Sequence, residues 1–398
     1  MICFYCISTQ LGGAERSLLE FLLPLSHSSA QANSEFRPWV IVPKEQGPLV
    51  EALREAGIEV SVLPMPLAML KLSRETPLRS FLLAIAAVWQ LPVYFLKLLG
   101  VLRKHRPKLL HTTGIKCHWI GALAGRTLGM PVLWHLRDIF VPGPTRTLLR
   151  RTARVSNVHM ISNSQATRAS FQSPVVIGKV IYNGLSADRY RSHPDRSIRA
   201  ELGIPDDVPL VGIVGALARW KGQREFLLAS VEILKSNPSA HFLIVGSGIY
   251  DTVGDKGYEQ ELKDLAHEQK ISHRVHFIGF RKDAVQVYNN LDVLVHASTR
   301  PEPFGRVVLE AMACKTAVVA TRGGGISEFV TDQVTGLLVT PGNTSEMASA
   351  VSLLISDLAF RDKTVTAAQE KFYADFTMDR HLKEIQQIYR EILSLDGA

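Results

Sequence analysis

Cysteine is scarce in this sequence, with only 4 among 398 residues. So few cysteines cannot form the disulfide framework of a small secreted domain, and a reducing compartment is expected. The first residues, Met1 to Phe4, include no basic leader ahead of an apolar run. This absence predicts that the chain carries no cleaved secretion signal and acts in the cytoplasm or at the cytoplasmic face of a membrane.

The sequence also lacks an uncharged run long enough to span a membrane. The stretch Ser80–Leu96 lacks charge but contains Gln90 and Pro92, and it is shorter than the roughly 20 residues that a spanning helix needs. Two interpretations stay open for it. It forms a core-facing helix of the first domain, or it contributes to peripheral attachment on an anionic leaflet.

Acidic residues are rare in one part of the chain. The formal net charge is +8, yet residues 101–200 hold 17 lysines and arginines against 3 acids, while residues 201–398 hold 20 against 26. A local basic excess suggests an anionic partner, such as a membrane face or a phosphorylated substrate, although a solvated basic surface explains it equally well. No nucleic acid partner is expected, because the basic segment 103–199 matches no recognition motif.

The chain is predicted to be an α/β protein. Hydrophobic residues make up 46% and charged residues 21% of it, which is an ordinary globular profile. Short apolar strands alternate with helical segments, a pattern typical of parallel sheets covered on both faces. The polar segment from Asp188 to Pro205 marks a boundary, after which a new strand starts at Val211. We therefore expect two Rossmann-like domains, 1–188 and 205–377, facing each other across a cleft, with 378–398 forming a helix that packs back on the first.

The apolar runs that predict strands share β-branched residues and a length of four to eight residues. They are Ile2–Ile7, Trp39–Val42, Val60–Leu63, Lys108–His111, Val132–His135, Val158–Ser162, Pro209–Val214, His241–Val245, Val275–Ile278, Val293–His296, Ala317–Ala320 and Leu337–Val339. Helical spacing is clearest over Ala14–Leu25, Phe226–Leu234, Val307–Ala313 and Met378–Leu393.

Cys3 and Cys6 have the spacing of a redox or metal motif, but the sequence places them inside the first strand. Residues three apart in a strand point to opposite faces, and no second pair completes a zinc site. A structural role is expected for both, and no metal site is predicted.

Two glycine turns follow predicted strands. Gly12 and Gly13 come between the first strand and its helix, and Gly215 opens a turn that leads to Arg219 and Lys221. Such turns place backbone N–H groups and a positive helix end at the carboxyl edge of a parallel sheet, where anions bind. Neither turn matches a complete phosphate-binding fingerprint. The two cations are candidates for neutralising a diphosphate, or they are solvated loop charges.

The segment around Glu302 and Glu310 carries the strongest signal. Pro303 and Gly305 prevent helix before about residue 305, so Glu302 is predicted in a loop and Glu310 in the second turn of the following helix. Helix-start N–H donors, expected at residues 304–307, would lie between the two carboxylates. A phosphate or a sugar hydroxyl could bind there, or the two acids only stabilise the positive helix end.

These residues resemble the signature of retaining nucleotide-sugar glycosyltransferases with the two-domain GT-B fold, of the glycosyltransferase family 4, group 1 type. The signature is E-P-F-G-R-V-V-L-E-A-M-A from Glu302, followed by the glycine turn at Gly323–Gly325. Supporting motifs occur in family order along nearly the whole chain: Leu11–Glu15, His111–Gly114, Trp134–Asp138, Ser162–Ser164, Tyr182–Gly184, Trp220–Gln223 and Gly246–Gly248.

The resemblance implies a role for each matching position. Glu310 would bind the donor ribose, Glu302 would contact the transferred sugar, and Lys221 would hold the diphosphate. His135 would lie near the sugar. The remaining implied donor-binding positions are Arg219, Gly246, Phe304, Gly305, Arg306 and Val307, and the implied acceptor or phosphate loop is Gly12 and Gly13. One position departs from the family pattern, because Ala216 stands where arginine is usual.

The expected activity is transfer of a hexose from a UDP- or GDP-sugar to a glycan, a lipid-linked or a phosphorylated acceptor, with retention of the anomeric configuration. Neither a metal nor another cofactor is expected, since no Asp-x-Asp site appears in the relevant context. Two alternatives remain: a non-catalytic nucleotide-sugar-binding subunit of the same fold, which Ala216 favours, and a nucleotide-sugar epimerase.

Overall fold

The computed structural model describes residues 1–30, 35–71, 77–155, 157–172, 178–193, 196–248 and 257–395, and the side chains of 27–30, 70–71, 77–88 and 155 lie outside that description. The chain divides into two compact units. Unit 1 comprises Met1–Gly184 together with Met378–Ala398, and unit 2 comprises Leu185–Thr377.

Unit 1 is built on a seven-stranded parallel sheet. Its strands are β1 (Ile2–Tyr5), β2 (Pro38–Val42), β3 (Glu59–Val62), β4 (Leu109–Thr113), β5 (Val132–Leu136), β6 (Val158–Ser162) and β7 (Lys179–Val180). They are arranged in the order β3-β2-β1-β4-β5-β6-β7. The strand order reverses between β1 and β4, which makes the carboxyl ends of these two strands the expected place for a ligand.

The helices of unit 1 cover both faces of that sheet. They are α1 (Gly13–Ala30), α2 (Pro48–Glu55), α3 (Leu67–Lys71), α4 (Pro77–His105), α5 (Ile115–Leu128), α6 (Pro144–Val155), α7 (Gln165–Phe171) and α16 (Met378–Leu395). One core contains residues of α3 to α7, including Tyr94 and Leu149. The other contains residues of α1, α2 and α16, including Phe21 and Tyr389.

Unit 2 repeats the same topology with six parallel strands. They are β8 (Leu210–Val214), β9 (His241–Val245), β10 (Val275–Gly279), β11 (Val293–His296), β12 (Ala317–Thr321) and β13 (Leu337–Val339). The order is β10-β9-β8-β11-β12-β13, so the reversal falls between β8 and β11.

The helices of unit 2 are α8 (Ser197–Leu202), α9 (Gln223–Ser236), α10 (Tyr258–Glu268), α11 (Ala284–Asn290), α12 (Arg306–Ala313), α13 (Ile326–Phe329), α14 (Thr344–Ser356) and α15 (Leu358–Asp375). Two short 3-10 turns, Arg219–Lys221 and Ser272–Arg274, precede α9 and β10. The segment Asp188–Pro205, where the sequence suggested only a polar boundary, contains α8 and belongs to unit 2.

The predicted strands are present within one or two residues, and all are parallel. The sequence missed β7, because two residues are too few to show a pattern. Cys3 lies in β1 as predicted, whereas Cys6 follows the end of that strand at Tyr5. Cys3 packs in one core of unit 1 and Cys6 in the other, and both are buried free thiols.

The charge-free stretch Ser80–Leu96 lies in α4, which continues through Pro92. The side chains of residues 80–88 fall outside the described set, whereas Tyr94 and Leu98 pack in the core of unit 1. No helix in the described part of the chain is both long and apolar enough to cross a bilayer.

Candidate functional site

In unit 2 the candidate site lies where the strand order of the sheet reverses. The loop after β8 carries Lys221, and the loop after the neighbouring strand β11 carries Glu302. In open parallel sheets, ligands bind outside the carboxyl ends of the strands at this kind of position. The topology therefore brings together two residues 81 positions apart in sequence.

Glu302 is buried and receives several hydrogen bonds on one carboxylate oxygen. Lys221 Nζ lies 2.7 Å and His296 Nε2 2.8 Å from Glu302 Oε1, and Ser298 donates to the same atom. Burial alone would raise the pKa of Glu302, but the charge of Lys221 and the bond from His296 outweigh it and hold that pKa well below its usual range. Glu302 is therefore an anion at neutral pH and cannot serve as a proton donor there.

Backbone contacts fix the two loops against each other. The Thr299 amide donates to the Trp220 carbonyl at 2.8 Å, which ties the glutamate loop to the lysine turn. On the other side, the Gly325 amide donates to the Glu302 carbonyl at 2.9 Å. A Cβ at Gly324 would lie 2.0 Å from that same carbonyl oxygen, so only glycine allows the turn after β12 to approach the loop this closely.

Glu310 lies in the second turn of α12, as the sequence predicted, and both of its oxygens accept hydrogen bonds. Arg306 Nε lies 2.7 Å and Tyr190 Oη 3.1 Å from Oε1, while Tyr288 Oη donates to Oε2 at 2.6 Å. Glu310 as a residue is 5% exposed. A ribose hydroxyl would have to share or replace one of these donors.

Helix α12 begins at Arg306, with Gly305 before it in the left-handed region at φ 86°. Glu302 precedes this helix start. Of the predicted stretch Phe304–Val307, Arg306 and Val307 lie in the first turn of the helix, and Phe304 and Gly305 precede it. The opening turn of an α-helix leaves N–H donors without partners inside the helix, and its dipole favours anions.

The other predicted donor-binding residues of unit 2 are placed as follows. Arg219 Nη2 contacts both oxygens of Glu261 at 2.6 and 2.7 Å, and its guanidinium lies 5.0 Å from the Tyr258 ring centroid. Gly246 follows β9, where an added Cβ would lie 1.8 Å from the Gly215 carbonyl oxygen. Gly246 thus permits close packing of two backbone turns at the sheet edge.

In unit 1 the corresponding sheet edge encloses a largely apolar cavity of about 730 Å³. Gly12 and Gly13 lie at the start of α1, whose residues Ala14 and Glu15 line this cavity. Burial raises the pKa of Glu15 above its usual value. Further lining residues come from the ends of β4 and β5 and from α5 and α6: Thr113, Ile115, Lys116, Trp119, Arg137, Asp138, Leu148 and Leu149.

His135 is the penultimate residue of β5 and belongs to a buried hydrogen-bonded chain. Arg137 Nη2 lies 3.4 Å and His111 Nε2 3.3 Å from His135 Nδ1, and Tyr389 Oη lies 2.7 Å from His111 Nδ1. Burial and then the charge of Arg137 hold the pKa of His135 well below its usual value, so the ring is neutral.

These contacts fix the position of the proton on His135. A guanidinium only donates, so His135 Nδ1 accepts and the proton of the neutral ring is on Nε2. Tyr389 then donates to His111 Nδ1, and His111 Nε2 donates to His135. The Nε2 atom of His135 has no hydrogen-bond partner among the described residues, and it is therefore an unused N–H donor.

The described residues contain no group of three or more histidine, cysteine or acidic side chains arranged to hold a metal ion. Sequence reasoning missed several members of the three networks around Glu302, Glu310 and His135. They are His296, Ser298, Tyr190, Tyr288 and Tyr389. A signal existed only for His296, which ends a strand just before the glutamate loop.

Two family models match successive parts of the chain. The model described as Glycosyltransferase Family 4 matches residues 49–189, which lie in unit 1 except for the last five, and the model described as Glycosyl transferases group 1 matches residues 194–371, within unit 2. The chain thus belongs to the GT-B glycosyltransferases of the family 4, group 1 type.

Among relatives, an uncharacterized glycosyltransferase of Methanocaldococcus jannaschii is 33% identical over 233 residues, 57% of each chain. The D-inositol 3-phosphate glycosyltransferase of Corynebacterium jeikeium is 34% identical over 219 residues, covering 54% of this chain and 52% of that protein. The matched stretches span about half the length of these relatives.

Among solved structures, HepE of Anabaena in complex with UDP and glucose is 27% identical, with a TM-score of 0.82 over 98% of this chain and 99% of that one. The sucrose-phosphate synthase of Thermosynechococcus elongatus is 20% identical with a TM-score of 0.78, covering 99% of both chains. The second likeness concerns the fold alone.

Proposed function

We propose that this protein transfers a hexose from a nucleotide-diphosphate sugar to an acceptor hydroxyl, with retention of configuration and without a metal ion. The observation that carries the proposal is the contact between Lys221 and Glu302 at the strand-order reversal of unit 2, directly before the start of α12. A cation, an anion held ionised and a helix start occur together at the edge where parallel sheets bind ligands.

The donor would bind to unit 2. Its diphosphate would accept hydrogen bonds from Lys221 and from backbone amides at and just before the start of α12, which is the role proposed for Phe304, Gly305, Arg306 and Val307. Glu302 would accept hydrogen bonds from hydroxyls of the transferred sugar, since its pKa keeps it anionic. Gly246 would let the backbone approach the nucleotide.

Glu310 would bind the ribose, sharing its oxygens with the tyrosines and Arg306. For Arg219, the contact with Glu261 limits the proposal. A role on the diphosphate requires the guanidinium to leave that carboxylate.

In the proposed reaction the bond from the anomeric carbon to the diphosphate oxygen breaks, and a bond from that carbon to the acceptor oxygen forms. The acceptor proton passes to the departing diphosphate. Negative charge grows on the leaving group as the bond breaks, and Lys221 and the α12 amides stabilise it. Preorganised donors of this kind contribute about 3–4 kcal/mol each to lowering the barrier.

Unit 1 is the proposed source of the acceptor contacts, with Gly12, Gly13 and the cavity beside them binding a glycan, lipid-linked or phosphorylated molecule. For His135, burial limits the proposal. The residue is 0% exposed, so a contact between its Nε2–H and a substrate oxygen requires neighbouring groups to move. A UDP-sugar is the preferred donor, because the similar HepE structure holds UDP and glucose; a GDP-sugar is the second choice. A cytoplasmic place of action stays a prediction from the sequence.

One observation favours a second candidate, a nucleotide-sugar-binding subunit without turnover. Ala216 replaces the usual arginine, and Arg219, the nearest substitute in sequence, is held by Glu261. Lys221 would then be the main cation for the diphosphate, which lowers the expected rate. An epimerase on the same fold has no structural observation in its favour.

The experiment has two stages. A thermal-shift screen of the purified chain with UDP-, GDP- and ADP-sugars identifies the donor, because a ligand that binds the folded state raises its apparent stability. Donor hydrolysis and transfer are then assayed across an acceptor panel, and the configuration of the new linkage is determined. Retained configuration supports the proposal, donor binding without turnover supports the second candidate, and failure of every donor to bind contradicts both.

A further inference from the structure

The exposed face of α4 carries large apolar side chains on a regular spacing. Trp89, Val93 and Leu96 are 80%, 56% and 66% exposed, and the i, i+4, i+7 spacing places them on one side of the helix. Tyr94 and Leu98 face the core of unit 1. The described half of α4 therefore has two apolar faces, of which only one packs against the protein.

Large apolar side chains that lie together on an exposed surface usually mark a binding surface. Tryptophan is the residue most typical of a boundary between water and hydrocarbon, because its ring is large and its N–H remains polar. Trp89 is more exposed than any other large apolar side chain in the described part of the chain.

The stripe is continuous with a basic surface. Lys97, Arg103 and Lys104 follow it on α4 and are exposed, and the helix contains no acid over Pro77–His105. Helix α6 contributes to the same core as α4 and carries arginines at positions 146, 150, 151 and 154, again without an acid. Unit 1 as a whole has 24 lysines and arginines against 13 acids, whereas unit 2 has 21 against 24.

The combination of an exposed apolar stripe with basic residues beside it indicates an anionic lipid surface as the partner. Phosphate groups of lipids would pair with the cations while the acyl boundary takes up the apolar side chains. Nucleic acid would use the cations but would leave Val93 and Leu96 in water, so it fits the face less well.

We propose that this face of α4 docks unit 1 on an anionic membrane surface. Trp89, Val93 and Leu96 enter the boundary between headgroups and acyl chains, and Lys97, Arg103 and Lys104 contact lipid phosphates. The proposal goes beyond the proposed function, because docking needs neither a donor nor a transfer reaction. It would bring an acceptor carried by a lipid to the cavity of unit 1.

The test measures co-sedimentation of the full chain with vesicles of phosphatidylcholine alone and of phosphatidylcholine mixed with phosphatidylglycerol. Binding is expected to the anionic vesicles, and it should weaken with added salt. Replacing Trp89, Val93 and Leu96 together by serine should reduce binding by about tenfold or more, because the buried apolar area is lost.

A second variant removes the charges and keeps the apolar stripe: Lys97→Gln, Arg103→Gln and Lys104→Gln. It should lose most of the preference for phosphatidylglycerol. Matched controls make equivalent changes on exposed positions of unit 2, and they should bind like the native chain. They are Leu353→Ser with Leu358→Ser for the apolar stripe, and Lys235→Gln, Lys263→Gln and Lys282→Gln for the charges.

Three results would overturn the proposal. The native chain does not bind anionic vesicles, the serine variant binds them as well as the native chain, or the chain binds an oligonucleotide and no vesicle. Thermal unfolding and the donor thermal shift of each variant serve as checks. A variant that keeps its thermal shift with the donor but loses vesicle binding supports docking. If the native chain shows no thermal shift with any donor, that result bears only on the proposed function.

Discussion

The two units of this protein share a sheet topology but differ in the chemistry of the sheet edge. In unit 2 the edge at the strand-order reversal is ionic, with Lys221 paired to an ionised Glu302. In unit 1 the equivalent edge has a largely apolar cavity beside a neutral histidine chain that includes His135. The same backbone order thus supports an ionic sheet edge in one unit and a largely apolar one in the other.

The largest expected effect is that of Lys221→Ala on the transfer rate, which tests the ionic site of unit 2. The change removes the cation proposed to stabilise the leaving diphosphate, so the transfer rate should fall by a factor on the order of 100 to 1,000. The measurement is the initial rate of transfer at saturating acceptor. Lys263→Ala, which breaks an exposed ion pair on α10 in the same unit, is the control and should keep the native rate. Full activity of Lys221→Ala would place the diphosphate elsewhere.

Next in size is the effect of Glu302→Gln on stability. The substitution leaves Lys221 without its anionic partner, which should cost on the order of 3 kcal/mol of unfolding free energy at neutral pH. The low pKa of Glu302 in the folded state means that its contribution is complete above the ordinary value of 4.5 and declines as the pH falls below it. Urea denaturation at pH 7 and near pH 4 should therefore show a smaller difference between variant and native chain at the lower pH. An equal difference at both values would argue against an ionised Glu302.

A smaller effect is expected from Glu310→Gln on donor binding. An amide accepts hydrogen bonds less strongly than a carboxylate, so the donor Kd should rise about tenfold if Glu310 binds the ribose. Isothermal titration with the donor measures it. Tyr288→Phe is the matched control, because it removes a neighbour of Glu310 without changing the carboxylate. Unchanged donor affinity in Glu310→Gln would remove the ribose assignment.

The smallest effect is expected in unit 1 from Tyr389→Phe. Loss of the hydroxyl removes the donor to His111 Nδ1, at a cost of about 1 kcal/mol of unfolding free energy. Nitrogen NMR should show His111 still protonated on Nε2, because His135 Nδ1 accepts from it, with a changed Nδ1 shift, while donor affinity stays unchanged. A change in donor affinity would contradict the assignment of the donor site to unit 2 alone.

Much of this comparison could be predicted from the sequence. Glycine turns and apolar strands located both sheet edges, and Pro303 with Gly305 placed Glu302 in a loop and Glu310 on a helix. Contacts between distant segments could not be predicted. Tyr389 lies 278 residues from His111, and no local pattern indicates that two such residues will meet.

The polar partners of Glu302 and Glu310 could not be predicted from the sequence for a related reason. Tyr190 lies in the polar segment that the sequence marks only as a boundary, although its side chain is buried against Glu310. Arg219 illustrates the opposite case. Its position near Lys221 suggested a phosphate contact, and the competing carboxylate of Glu261 lies on a helix 42 residues later.

Because α16 belongs to unit 1 but follows all of unit 2 in the sequence, the two units become complete at different times during synthesis on the ribosome. Unit 2 is continuous, so every residue of its core has been made before α16 is made. The core of unit 1 on the α1 and α2 side lacks Ile385, Tyr389 and Ile392 until then. Unit 2 can therefore reach its native packing first, and unit 1 exposes an unfinished apolar surface in the interval, when chaperones would protect it from aggregation.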